Sequence, residues 1–228
     1  MSLASVFAEE GLSHFAALPG WERLAELLLE WNGRMNLTAI TGEEEIYRKH
    51  FADSLTAAEF LPHGATLLDV GCGGGFPTLP LALARPDLRV TALDSTAKKL
   101  RFVEAAAKEL SLPVVTLCGR AEELGKDAPY RERFDCVTAR AVARLPVLCE
   151  WCLPFVRVGG AFVALKGAAG EEELREAENA VALLGGKVET VRRRTIGGES
   201  RVILVIRKIA PTPAKYPRNG GQIMKKPL

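Results

Sequence analysis

The sequence contains no uninterrupted apolar run approaching the ~20 residues that a membrane-spanning helix needs. Its N-terminus, MSLASVFAEEGL, lacks a basic stretch leading into an apolar block, so it does not read as a secretory signal and a cytosolic protein is expected. Cysteine is scarce and odd in number. Cys72, Cys118, Cys136, Cys149 and Cys152 are scattered through 228 residues, which suits reduced thiols rather than a disulfide framework. Histidine is scarcer still, with His14, His50 and His63 never paired at ligand spacing, so no metal site is expected. An excess of charge of one sign is also missing. Thirty Lys+Arg face 28 Asp+Glu, a formal +2 that taken alone argues against a strongly basic nucleic-acid binder.

What is present is an ordinary globular composition, 48% hydrophobic and 25% charged. The length suits one main domain with extensions and can bury a core without staples. The first sixty residues read as helical: Trp21, Leu24, Leu27, Leu28 and Trp31 share one apolar helical face, with Glu22, Arg23, Glu26 and Glu30 off it. A Gly-Asn-Thr stretch follows, then residues 43–60 read as helix again, in two pieces. From Ala65 the rhythm changes. Strands are expected at 66–70, 89–93, 114–117, 134–139 and 160–166, with helices at 77–84, 97–110, 120–124 and 145–153 between them. This alternation implies an α/β fold with a mostly parallel sheet and helices on both faces. After a helix at 171–184, strands at 187–193 and 201–208 follow with only Gly197-Gly198 at the turn, so the last strand should run antiparallel. The expected division is an N-terminal helical extension (1–64), a core domain (65–210) and a basic tail (211–228) without regular structure.

The sharpest motif is Asp69-Val70-Gly71-Cys72-Gly73-Gly74-Gly75-Phe76-Pro77, where the first strand should pass into a helix. Glycines there permit a tight turn and let a ligand approach the main chain. The dinucleotide pattern G-x-G-x-x-G fails at Phe76, which disfavours an NAD oxidoreductase. Asp69, Gly71, Gly73 and Gly75 instead satisfy acidic-x-G-x-G-x-G, which resembles motif I of class I S-adenosylmethionine-dependent methyltransferases, so all four are expected to contact that cofactor. That cofactor needs a second acidic residue for its ribose hydroxyls, and Asp94 ends the second strand at a suitable offset.

Absences narrow the reaction. Enzymes that methylate exocyclic amines carry an Asn/Asp-Pro-Pro-aromatic motif after the fourth strand, where this chain reads Thr138-Ala139-Arg140-Ala141-Val142. Carbon-5 methylation of pyrimidines needs a cysteine nucleophile, but Cys149 and Cys152 fall within an apolar helix and read as buried packing residues. An acceptor with a ready lone pair, such as guanine N7, needs neither base nor nucleophile, only positioning. Arg140 ends the fourth strand, at the sheet edge where ligands bind, and arginine pairs with the guanine O6/N7 edge. Two other readings stay open: a small-molecule or protein methyltransferase of the same fold, and a non-catalytic RNA-binding module on a vestigial cofactor fold.

Several stretches resemble one family over nearly the whole chain. They are Trp31 through Thr38 (WNGRMNLT), His50 through Leu55 (HFADSL), the Asp69–Pro77 turn, Gly119-Arg120-Ala121-Glu122-Glu123, Thr138 through Ala141, Leu165-Lys166-Gly167, and Tyr216-Pro217-Arg218 onward to Leu228. The chain resembles the bacterial 16S rRNA guanine-N7 methyltransferases, also called glucose-inhibited division protein B. The resemblance implies a Rossmann-like, seven-stranded class I methyltransferase fold behind N-terminal helices. It implies S-adenosylmethionine as donor and, as acceptor, the position-527 guanine in the 530 loop of 16S rRNA, met as RNA or in the 30S subunit. By resemblance, Gly71 and Phe76 contact the methionine part, Asp94, Ser95 and Thr96 the ribose, and Ala121 and Glu122 the adenine. Arg140 stands beside the reaction site, and Lys166 and Arg218 contact RNA. His50 and Asp53, read from their own position, are expected to pack and cap the N-terminal region rather than to catalyse. The family's tail reads Gly-x-Pro-x-Lys-x-Pro-Leu, and here Ile223 replaces the first proline.

The near-zero net charge conceals a division. Residues 187–228 hold eleven Lys+Arg and two acids, a net +9, leaving −7 on residues 1–186. That asymmetry makes the last two strands and the tail, with Arg192, Arg193, Lys225 and Lys226, a candidate RNA face. Nothing in the sequence demands more than a monomer.

Overall fold

The computed structural model describes residues 1–228 and gathers seven strands into one sheet, in the order β3-β2-β1-β4-β5-β7-β6. The strands are β1 (Thr66–Val70), β2 (Arg89–Asp94), β3 (Val114–Cys118), β4 (Phe134–Arg140), β5 (Val156–Lys166), β6 (Gly186–Ile196) and β7 (Glu199–Lys208). The first five run parallel, and β7 is antiparallel to both β5 and β6. The expected mostly parallel seven-stranded sheet is therefore present, with the hairpin turning at Gly197 and Gly198, both at positive φ. Alternation within β1 sends neighbours to opposite faces. Leu67 packs with Leu81 and Ala82, and Leu68 with Leu148 and Leu204. The helix Thr78–Ala84 thus covers one face, and Leu145–Cys152 with Glu178–Leu183 the other.

The helix Trp21–Met35 buries Trp21, Leu24, Leu27 and Leu28 and exposes Glu22, Glu26 and Glu30, as its periodicity predicts. Its apolar face shares one core with Phe51, Phe76, Leu79 and Phe102. The N-terminal helices are therefore packed directly onto the glycine turn.

Three elements differ from expectation. Between Glu43 and Leu55 the chain is helical, but Ile46–Ala52 is a π-helix, wider than an α-helix, and this wide turn carries His50. The helix expected over 171–184 breaks at Ala177 into Gly170–Glu176 and Glu178–Leu183. The tail, expected to lack regular structure, ends in a short helix, Gly220–Lys225, capped by the Asn219 side chain on the Gln222 amide. Ile223 is fully buried there, and its N–H donates to the Asn219 carbonyl, a bond the proline it replaces lacks the hydrogen to make.

The tail is anchored by hydrogen bonds to its carbonyls and by one ion pair. Arg131 donates to the carbonyls of Gly125, Thr212 and Tyr216. Arg218 clamps Glu150, a fully buried carboxylate, through Nε at 2.9 Å and Nη2 at 2.6 Å. Removing one partner of a buried pair strands the other charge. Arg218→Ala should therefore destabilise the protein by about 3–5 kcal/mol and release the tail. Thermal melts and limited proteolysis after Lys215 are the measurements, and an unchanged melting temperature would refute the clamp.

Candidate active site

The glycine turn leaves β1 through Gly71, Gly73 and Gly75, all with φ between 55° and 82°. A Cβ on Gly71 would stand 2.8 Å from Val142 Cγ2, and one on Gly75 2.6 Å from Leu79 Cδ1, so both positions require glycine. Asp69 lies beneath the turn with no exposed surface. Its Oδ2 accepts from the Thr78 amide and hydroxyl (3.2 and 2.6 Å), and its Oδ1 from the Thr138 hydroxyl (3.1 Å). The expectation that Asp69 and Gly75 touch a ligand is thus corrected. Asp69 ties β1 to the next helix and to β4 from behind, and Gly75 packs against Leu79 and Val103. Burial pushes the Asp69 carboxyl up to about 6, against the pull of the two hydroxyls.

In front of the turn is a cavity of about 510 Å³. Gly71, Gly73 and Phe76 form one wall, Asp94, Ser95 and Thr96 a second, Ala121 and Glu122 a third, and Arg140 closes the end. The structure therefore brings together these nine residues singled out in the sequence. Asp94 is held by the main chain on both oxygens, Oδ2 accepting from Gly73 N–H at 3.0 Å and Oδ1 from Thr96 N–H at 2.8 Å. Glu122 is buried, and the tail presses on it so closely that a Cβ on Gly220 would collide with Glu122 Oε1.

Arg140 organises the far end. Its Nη1 donates to the Lys49 carbonyl (2.8 Å) and Asp53 Oδ2 (2.7 Å), and its Nη2 faces His50 Nδ1 at 3.2 Å. Arginine only donates, so His50 Nδ1 is the acceptor and the imidazole carries its proton on Nε2, which donates to Thr38 Oγ1 at 2.8 Å. Burial, and then the Arg140 charge, push His50 down to about 3, so the ring is neutral. It stacks on Phe76, 4.3 Å between centroids and 6° from parallel. Asp53 bridges Arg140 and Arg201, whose Nε donates to Oδ1 at 2.8 Å. These contacts join the π-helix, β4 and β7 at one point. The packing role expected for His50 and Asp53 thus takes the specific form of gripping Arg140.

A second cavity, also about 510 Å³, adjoins the first and shares His50, Arg140 and Ala141 with it. Ala141 sits at the junction with φ 55°, a strained value for a residue bearing a Cβ. A larger cavity of about 860 Å³ lies between the N-terminal helices and the β6–β7 hairpin, remote from the glycine turn.

Among the residues of the first cavity not singled out from the sequence are Thr38 and Trp151. Thr38 lies inside the WNGRMNLT stretch, and that stretch was its only signal. Trp151 had none. Its indole Nε1 is buried without a partner, as is Arg140 Nε.

The expected RNA contacts divide. Lys166 is buried, bonded to the Ala143 carbonyl and paired with Glu173 at 2.7 Å, and Arg218 is clamped to Glu150. Both are internal ties, which corrects the expectation that they meet RNA. Arg193 is exposed but paired with Glu171, while Arg192, Lys225 and Lys226 are exposed without an ion-pair partner. The +9 of the C-terminal segment is partly answered by acids elsewhere: Arg194 by Glu59, Arg201 by Asp53, Lys208 by Glu132.

A parallel sheet with this strand order, a reversed last strand and a glycine turn after β1 define the Rossmann-like methyltransferase class. An S-adenosylmethionine-dependent methyltransferase from Aquifex aeolicus superposes with a TM-score of 0.56 at 18% identity, over 75% of this chain and 96% of that one. Geranyl diphosphate methyltransferase superposes with a TM-score of 0.52 at 19% identity, over 68% and 85%. At the sequence level, the family described as rRNA small subunit methyltransferase G matches residues 18–203. The ribosomal RNA small subunit methyltransferase G of an Exiguobacterium species is 50% identical over 92% of this chain and 91% of its own. That of Brevibacillus brevis is 47% identical over 99% and 97%. The chain belongs to the rRNA small subunit methyltransferase G family.

The neutral His50 makes a pH-dependent contribution. A histidine in the unfolded chain takes up a proton near 6.5, whereas folded His50 resists down to about 3, so between these values the unfolded state binds more protons and stability falls on acidification. Asp69 opposes this, because its raised carboxyl holds a proton that the unfolded chain releases above about 3.8. His50→Gln removes only the first effect. The drop in melting temperature from pH 7 to pH 5 should therefore shrink in the variant, and an equal drop would contradict a neutral His50.

Proposed function

We propose that this protein transfers a methyl group from S-adenosylmethionine to N7 of a guanine in the 530 loop of 16S rRNA, at position 527 by family resemblance. The observation that carries the reading is the junction of the two cavities, which has cations and hydrogen-bond donors but no free base. Both lone-pair edges of Asp53 are held by arginines, and His50 offers its one acceptor nitrogen to Arg140. An acceptor methylated there must bring its own lone pair and have no proton to lose. Guanine N7 meets that condition; exocyclic amines and hydroxyls do not.

The first cavity's residues suit the cofactor. Asp94 keeps lone pairs for two ribose hydroxyls, glycines give close main-chain approach, and the unpartnered Trp151 Nε1 and Arg140 Nε are donors wanting acceptors. S-adenosylmethionine, when bound, supplies the methyl group on a sulfonium. The chain's own contribution is to bind it, to hold Arg140 rigidly beside the acceptor and to exclude water from the junction. The guanidinium can face the acceptor O6, as arginine does in nucleic-acid readout. Arg192, Lys225 and Lys226 are the exposed cations that support an RNA-facing surface. The substrate is the small-subunit RNA, free or assembled, and the protein acts as a cytoplasmic monomer.

Two experiments test this. Labelled S-adenosylmethionine incubated with the protein and small-subunit RNA or subunits should yield label recovered as 7-methylguanosine at one site. Label in another nucleoside, or in protein alone, would overturn the reading. Asp94→Ala should weaken S-adenosylmethionine binding by about tenfold or more, consistent with loss of hydrogen bonds to a charged group. Unchanged calorimetric affinity would reject the ribose role.

A further inference from the structure

The Asn-Leu-Thr segment at the end of WNGRMNLT meets the site through Leu37 and Thr38, and the orientation of Thr38 is unusually constrained. Asn32 clamps the backbone of Thr38 on both sides: its Nδ2 donates to the Thr38 carbonyl at 2.9 Å, and its Oδ1 accepts from the Thr38 amide at 2.9 Å. The Thr38 hydroxyl oxygen accepts twice, from Ile40 N–H at 3.0 Å and from His50 Nε2–H at 2.8 Å. A hydroxyl has two acceptor lone pairs and one donor hydrogen. Both lone pairs are occupied, so the remaining hydrogen must be donated, and no group of the chain receives it. Thr38 is half-buried and lines the first cavity, not the second.

The chain of bonds runs from the Arg140 guanidinium through His50 to Thr38. Each donor in it polarises the next, so the terminal O–H is a strengthened donor suited to an anion. Its place in the cavity limits which anion. Asp94, Ser95, Thr96, Ala121 and Glu122 occupy the end suited to an adenosine, and Thr38, His50, Phe76 and Arg140 occupy the other. The amino-acid end of the cofactor falls there, and its α-carboxylate is the anion it carries. We propose that Thr38, oriented by Asn32 and by the Arg140–His50 relay, donates its hydroxyl hydrogen to the α-carboxylate of the cofactor's methionine moiety. The proposal rests on the cofactor reading above and adds to it a determinant of how the amino-acid end is held.

Calorimetry with two ligands tests it without any methyl transfer. S-adenosylhomocysteine carries the carboxylate; 5′-methylthioadenosine keeps the adenosine and sulfur but lacks the amino-acid end. Thr38→Val removes the donor at nearly constant shape. It should weaken S-adenosylhomocysteine binding about tenfold or more, as expected for a hydrogen bond to a charged group. Binding of 5′-methylthioadenosine should change less than about twofold, since the same rule gives no term for a missing partner. Thr38→Ser keeps the hydroxyl and should restore most of the affinity for S-adenosylhomocysteine. Equal losses for both ligands, or no loss for either, would overturn the proposal. If the unmodified protein bound neither ligand, the cofactor reading itself would fall, a result distinct from either outcome in the variants.

Discussion

The architecture of the site depends on one guanidinium. Arg140 ends β4, a strand buried in the middle of the sheet, so its backbone cannot drift. From that fixed point it fastens the π-helix through Lys49, His50 and Asp53, and lies 5.6 Å from the Phe76 ring centroid. Asp53 passes the tie on to Arg201 in β7. A buried cation of this kind is costly unless matched. Here the match comes from the π-helix with Asp53 just after it and from Phe76 of the glycine turn, and the requirement to match it sets their relative positions. The N-terminal helices have other polar ties to the core, such as Arg23 to Glu109 and Arg201 to Asp53, but Arg140 is the one that fixes the π-helix against the site.

Asp69 supplies the complementary constraint from below. A carboxylate with no exposed surface needs partners, and Thr78 and Thr138 provide them. The glycine turn is thereby pulled down onto the sheet, which opens the space above it. The same residue that looks from the sequence like a ligand contact therefore acts on the ligand only through the shape of the turn.

The strands from Thr66 onward were legible because their alternation and the glycines between them are local signals. The walls of the cofactor cavity were legible for the same reason: motif and strand end coincide in Gly71, Gly73, Asp94 and Arg140. What the sequence concealed is long-range. Lys166 and Arg218 look like free cations in a linear reading, yet their partners Glu173 and Glu150 are fixed only by the fold, the second 68 positions away. The charge division between residues 187–228 and the rest has the same explanation, since Glu59, Asp53, Glu132 and Glu150 answer the C-terminal arginines and lysine across the molecule. The π-helix was hidden because apolar periodicity over so few residues does not separate one helical pitch from another.

That π-helix makes chain length itself part of the chemistry. A wide turn accommodates a residue that an α-helix would not, and each residue of an α-helix advances the facing direction by about 100°. Deleting one position within Ile46–Ala52 would let the segment relax to ordinary pitch and swing everything after it by that angle, turning the Asp53 carboxylate away from both arginines. In this stretch a one-residue gap between related sequences would therefore weigh more than most substitutions, because it keeps every side chain and loses their common direction.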